Sequence, residues 1–286
     1  MVYLKKFELP SEELESCCIP RLKIYNNYYP LGIFSEKKFT DITFEPVTIF
    51  YGGNGSGKTT LLNVIGKKLD ASRKSLNDLG NIFNEYVNLT KAELKKDELK
   101  EIKVILSDDV FDYLIDVRAI NSRVNRTKND LADEFINNKF NTSSNDIDIF
   151  NDYEKLKDVV ASKKKTESAY IRERLRNNNI VQESNGETAL SYWQNEIQDH
   201  AIYLIDEPEN SLSAENQLKL KTFIEESARF YNCQFIIATH SPFLLSIKDA
   251  RIYDLDSIPV IAKKWTELKN VKVYYDFFKE NEQEFD

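Results

Sequence analysis

The chain has 286 residues, enough to bury one large core or a core carrying an insertion. Its 47 acidic residues outnumber 39 basic ones, a formal net charge of −8, so no global field draws it to nucleic acid, although a local basic patch can still do so. Three cysteines, two of them the adjacent Cys17 and Cys18, argue against a disulfide framework and a cysteine metal site and fit a reducing cytoplasm. No apolar run approaches the roughly 20 residues of a membrane span, and Met1–Glu8 lacks a signal-peptide core, so any work at a membrane needs a partner.

In chain order, Val2–Glu8 partly alternates and predicts a strand, and Ile24–Phe34 and Phe39–Phe44 predict two more. Together they predict an antiparallel β layer ahead of the core. Tyr25, Tyr28, Tyr29, Phe34 and Phe39 are candidates to stack on a nucleotide base, though for each the plainer reading is core or sheet surface.

Val47–Phe50 is an apolar run that predicts a buried strand, and Leu61–Ile65 predicts the first turns of a helix. Between them Gly52, Gly57, Lys58 and Thr59 meet the P-loop pattern G-x-x-x-x-G-K-[ST]. Glycines let the backbone wrap so that its N–H groups converge on phosphate oxygens, and the helix N-terminus adds its dipole. The candidate nucleotide-binding residues are Gly52, Gly53, Asn54, Gly55, Ser56, Gly57, Lys58, Thr59 and Thr60. Lys58 reaches the β- and γ-phosphates, and the Thr59 hydroxyl can ligate Mg²⁺.

Residues 61–103 read as helix, loop, helix, with the charged run Lys91–Lys100 as a solvated helical face. Ile102–Leu106 reads as a strand ending at Ser107-Asp108-Asp109, and helical spacing resumes at Val110. Ser107 and Asp108 serve equally as site residues at a strand end or as a plain N-cap. Residues 118–182 are polar with short amphipathic stretches and read as a helical insertion without sustained heptads. The basic cluster Lys163–Lys165 with Arg172, Arg174 and Arg176 is by default a solvated face and otherwise a nucleic-acid contact.

Ala201–Ile205 reads as a buried strand ending in Asp206-Glu207-Pro208. Asp206 can hold the Mg²⁺ shell opposite Thr59, and Glu207 can polarise an attacking water. Phe235–Thr239 repeats the design and ends at His240, which can contact a γ-phosphate or that water. Gln182–Thr188 precedes an apolar-periodic helix through Leu190, Trp193 and Ile197, so Ser184 and Gly186 sit where a helix N-terminus favours an anion. In the tail, Ile252–Leu255 reads as a last strand, and the aromatics from Trp265 to Phe278 as a C-terminal helix packed on the core, with a partner surface as the other reading.

These motifs, in this order, resemble the ATP-binding-cassette (ABC) class of P-loop ATPases within the AAA family. The branch is that of the structural-maintenance-of-chromosomes and double-strand-break-repair ATPases. Gly52–Thr60 resembles Walker A, Ser184-Asn185-Gly186-Glu187 the signature loop, Leu204–Pro208 Walker B, Ser211-Leu212-Ser213 the D-loop and His240 the switch histidine. Asn185 and Glu187 depart from the family's glycine and glutamine, and Ser107-Asp108-Asp109 stand where its Q-loop glutamine belongs. The resemblance implies an α/β P-loop NTPase fold: a mainly parallel core sheet, the antiparallel β layer, and a helical lid. It implies one domain over residues 1–286, with 67–199 as the lid that carries the signature.

It also implies ATP and Mg²⁺ as cofactors and hydrolysis by Glu207 and His240 with Lys58, with Thr59 and Asp206 at the metal. ATP would lie between the P-loop of one copy and Ser184, Gly186 and Glu187 of another in a head-to-tail homodimer. That dimer would drive or gate a partner protein, in the cytoplasm, in regulation, defence or repair, with or without nucleic acid. The alternatives are the motor subunit of a membrane transporter and a non-hydrolysing switch or scaffold.

Overall fold

The computed structural model describes residues 1–18, 28–74, 80–141, 164, 166–174, 185–210 and 212–285. It divides into two compact units, Met1–Phe111 with Asn185–Asp286, and Asp112–Ser184. The first unit opens with β1 (Leu4–Glu8), α1 (Glu12–Cys18), β2 (Asp41–Thr43), β3 (Val47–Tyr51), α2 (Lys58–Lys68), α3 (Gly80–Leu89), β4 (Lys91–Leu94) and β5 (Glu101–Ile105). The long α4 (Ser107–Ile136) leads out of it, and α5 (Glu167–Arg174) belongs to the second unit. The first unit resumes with α6 (Asn185–Glu196), β6 (Ala201–Asp206), α7 (Ala214–Phe230), β7 (Gln234–Ala238), α8 (Pro242–Leu245), β8 (Arg251–Asp254), β9 (Ile261–Lys263) and α9 (Lys269–Glu280).

Six strands form the core sheet in the order β5-β6-β7-β3-β8-β9, parallel except for β9. Every residue of β3, β6 and β7 is buried. Their sequences are accordingly near-continuous apolar runs, as a parallel sheet covered on both faces requires. α2 packs against β5, β6 and β7. Register aligns the strand ends: Ala238 of β7 stands opposite Phe50 on one side and Asp206 on the other. The carboxyl ends of β3, β6 and β7 are therefore level, and the loops after them meet along one edge, where α/β sheets bind ligands.

A second, antiparallel sheet has the order β2-β1-β4. It is tied to the core sheet by polar side chains. The fully buried Gln234 accepts from Tyr3 N (2.9 Å) and Leu4 N (2.8 Å) through Oε1 and donates through Nε2 to Leu4 O (2.9 Å). Tyr253 OH bonds both the N–H and the carbonyl of Thr43 at 3.0 and 2.9 Å. The mainly parallel sheet and antiparallel layer match the α/β class expected.

Several local expectations are corrected. Lys91–Leu94 is a strand rather than a helical face, because Lys91 and Glu93 point to solvent while Ala92 and Leu94 pack against the core cluster, a period of two. Residues 29–38 form turns instead of a strand, and 24–27 lie outside the described residues. Of the stretch expected as lid, residues 80–105 supply α3, β4 and β5, and the second unit begins only at Asp112. α4 runs unbroken for 30 residues. The C-terminal helix forms, but only Leu268 and Val271 of its apolar set are buried, while Tyr274, Tyr275, Phe277 and Phe278 are exposed.

Within the second unit, Phe135 and Tyr170 are buried against each other at 5.4 Å, and the Arg174 guanidinium lies 3.7 Å over the Tyr170 ring. Of the basic cluster, Lys163, Lys165 and Arg176 lie outside the described residues.

Candidate functional site

β3 ends in the glycine-rich loop, and α2 starts at its last turn. Gly57 takes φ 101°, a backbone that favours glycine, and a Cβ there would crowd Ile33 Cγ2 at 3.1 Å. The first N–H groups of α2 have no intrahelical partners and face the loop's concavity, a ready anion site. Lys58 is buried, and its ammonium donates to Gly52 O (2.8 Å) and Gly53 O (3.1 Å), 3.8 Å from Glu207 Oε1. Lys37 braces the loop from behind, donating to Ser56 O (2.6 Å) and Leu255 O (2.8 Å); burial pushes its pKa down.

The Thr59 hydroxyl donates to Asp206 Oδ2 at 2.7 Å. Asp206 Oδ1 is buried and has no hydrogen-bond partner among the described residues. Burial pushes this carboxyl up to about 6; the charges of Glu207 and Glu209 add to the rise, while Thr59 and Lys58 oppose it. An oxygen pair with lone pairs to spare suits a small hard cation that keeps most of its water. Among the described residues no cluster of three or more His, Cys, Asp or Glu could hold a metal. Thr59 and Asp206 thus fit Mg²⁺.

Glu207 sits at φ 45°, the left-handed region, and its N–H donates to Ala238 O at 2.9 Å. Its Oε2 accepts from Asn210 Nδ2 (3.1 Å), and its Oε1 lies 3.9 Å from His240 Nδ1. His240 follows β7 with its ring half exposed. Glu209 is 7% exposed, and its Oε1 accepts from Thr239 Oγ1 (2.7 Å), His240 N (2.9 Å) and Ser241 N (3.2 Å). A cavity of about 390 Å³ opens over Gly52–Asn54, bordered by His240, Asp256 and Asn270. Asp256 Oδ2 accepts from Gly53 N at 2.9 Å, and Asn270 Nδ2 donates to His240 O at 3.2 Å. A larger cavity of about 960 Å³, lined by Glu45, Arg251 and Trp265 among others, contains none of these residues.

The structure brings Gly52–Thr60, Asp206, Glu207 and His240 to one edge of the sheet. Ser184 and Ser211 lie outside the described residues, and of Gly186 and Glu187 only the backbone, in the first turn of α6, is described. Ser107 starts α4, and the carboxylate that caps this end is Asp109, accepting from Leu106 N at 2.9 Å. Of the aromatic candidates, Tyr29 donates its hydroxyl to Thr60 Oγ1 at 2.9 Å, Phe34 and Phe39 are core, and Tyr25 is not described. Sequence reasoning missed Lys37, Glu209, Asp256 and Asn270. Each acts through backbone atoms of the site loops, and only Glu209, beside Asp206-Glu207, lay near a recognised motif.

A family model described as "AAA domain, putative AbiEii toxin, Type IV TA system" matches residues 47–246. No curated protein matches. Solved structures similar to the chain include the SMC head domain from Thermotoga maritima, at 12% identity over 92% of this chain and 99% of that one, with a TM-score of 0.36. Another is the Smc head domain with an extended coiled coil bound to the C-terminal domain of ScpA, from Pyrococcus furiosus, at 13% identity over 97% of this chain and 100% of that one, TM-score 0.39.

Proposed function

The chain belongs to the family described as "AAA domain, putative AbiEii toxin, Type IV TA system", and from that membership and the site geometry we propose that it binds ATP with Mg²⁺ and hydrolyses it. The observation that carries this reading is the 2.7 Å bond from Thr59 to Asp206, which joins the P-loop helix to the acidic strand end with Glu207 and His240 beside it. The loop's N–H groups and Lys58 take the phosphates, and Lys58 leaves Gly52 O and Gly53 O to do so. Mg²⁺, when bound, neutralises phosphate charge; Thr59 and Asp206 are the residues that would hold it. Glu207 accepts the proton of the water whose oxygen attacks the γ-phosphorus as the bond to ADP breaks. His240 faces the transferring group.

Phosphate release by wild type and Glu207→Gln tests this. The variant should bind ATP normally and turn over about 100-fold more slowly or worse. Full activity in the variant, or no ATP binding by wild type, overturns the reading.

The finer reading is a head-to-tail homodimer closed by ATP, with the Ser184–Glu187 segment of a second copy on the γ-phosphate. Its support is the sequence resemblance and the open cavity over Gly52–Asn54. Size-exclusion chromatography of Glu207→Gln with ATP should show a dimer; a monomer at every practical concentration overturns it. Such a cycle would gate a partner protein in a defence or repair role. The free thiols of Cys17 and Cys233 fit a cytoplasmic setting. Among the described residues no helix is long and apolar enough to cross a membrane.

A further inference from the structure

We infer that Glu209 is a positioning residue for His240: its buried carboxylate fixes the turn after β7 and the direction in which the imidazole faces the nucleotide. The inference rests on the role proposed above for His240.

Three donors converge on one oxygen. Thr239 Oγ1, His240 N and Ser241 N all bond Glu209 Oε1, so the turn that carries the imidazole is wrapped around a single acceptor from the neighbouring strand's loop. The same oxygen lies 3.3 Å from His240 Nδ1. Strand pairing delivers it there, because Asp206 stands opposite Ala238 and Glu207 N bonds Ala238 O.

The second oxygen supplies an independent argument. Glu209 Oε2 is buried and has no hydrogen-bond partner among the described residues. If the side chain served only to accept the three bonds, a neutral glutamine would do the same and relieve the desolvated charge. What a carboxylate adds is its charge, and beyond the three bonded donors the imidazole Nδ1 lies 3.3 Å from it. Glu207 Oε1, at 3.9 Å from the same ring nitrogen, reinforces it. Both carboxylates lie on the Nδ1 side, at 3.3 and 3.9 Å and without a hydrogen bond to it as the ring stands, a placement that favours the proton on Nδ1 and leaves Nε2 as the nitrogen to meet a ligand. An imidazole so placed would bridge the Glu209 carboxylate behind it and a phosphate oxygen in front of it.

The test is a double-mutant cycle on Mg²⁺-dependent ATP turnover with Glu209→Gln, His240→Ala and the pair. Glutamine keeps the acceptor and hence the loop. Glu209→Gln should bind ATP within about threefold of wild type yet turn over about tenfold more slowly. With His240 already replaced, the same change should cost less than about twofold, because its target is gone. An equal loss in both backgrounds, or full activity of Glu209→Gln, overturns the inference. A second readout does not depend on turnover. The chain has two histidines, so ring ¹⁵N spectra resolve His240, with His200 as internal control. Wild type should show Nδ1 protonated, and Glu209→Ala should lose that preference. An unchanged His240 spectrum in a folded Glu209→Ala overturns the positioning role. If wild type hydrolyses no ATP, the proposed function fails while the ring spectra still decide the role of Glu209.

Discussion

Thr59 and Asp206 lie 147 positions apart in the chain and share a hydrogen bond of 2.7 Å. The bond links the first turn of α2 to the end of β6 and leaves the other Asp206 oxygen unpartnered among the described residues. Thr59→Ala removes the donor and one oxygen of the cation pair. Mg²⁺-dependent turnover should fall by about 100-fold, while nucleotide binding in chelator changes little. Thr59→Ser keeps the hydroxyl and should recover most of the activity. Calorimetry with and without Mg²⁺, beside phosphate release, reads both effects.

Asp206 also makes the nucleotide-free protein sensitive to pH. Its carboxyl sits at about 6 in the fold against 3.8 ordinarily, so the folded chain holds a proton that the unfolded chain has lost. Stability from this group therefore falls as pH rises between about 4 and 6, and the penalty above that is roughly 2–3 kcal/mol. Asp206→Asn has no such term. Without Mg²⁺ and ATP it should be more stable than wild type near pH 7.5, with the difference fading toward about pH 4. Urea unfolding at several pH values checks the slope.

Glu207 adopts φ 45°. Only glycine adopts that backbone without strain, so Glu207→Gly should be more stable than Glu207→Ala by about 1 kcal/mol, the reverse of the usual order. Both should be inactive. Thermal melts of the two variants decide it, since they differ by one methyl group.

Gln234 satisfies three backbone groups of Tyr3 and Leu4 from inside the core. Gln234→Leu leaves them buried and unpaired and should cost about 2–4 kcal/mol. Hydrogen exchange should show β1 opening first while β6 and β7 stay protected. Uniform loss of protection would contradict this tie between the two sheets.

The P-loop, the Asp206-Glu207 strand end and His240 were legible because each is a local pattern: an apolar run, then residues of one chemical kind. β4 was not, since four of its flanking residues, Lys95, Lys96, Asp97 and Glu98, are charged and mask the alternation of Lys91-Ala92-Glu93-Leu94. Glu209 was not, because its meaning depends on the register that sets Asp206 opposite Ala238. Nor does an aromatic-rich helix announce what holds it. α9 is held at its start, where Asn270 bonds Tyr51 OH (3.1 Å) and His240 O (3.2 Å), so the rings beyond it remain in solvent.

The strand order also bears on synthesis. Among the described residues β3 pairs with β7 and β8, beginning with Val47 beside Phe235. A ribosome making this chain emits the P-loop strand long before either neighbour exists. Until residues 234–254 emerge, Val47–Tyr51 is an apolar segment without a sheet, exposed to chaperones and to other nascent chains. A chain truncated upstream of β7 lacks both neighbours of β3 and should aggregate rather than fold.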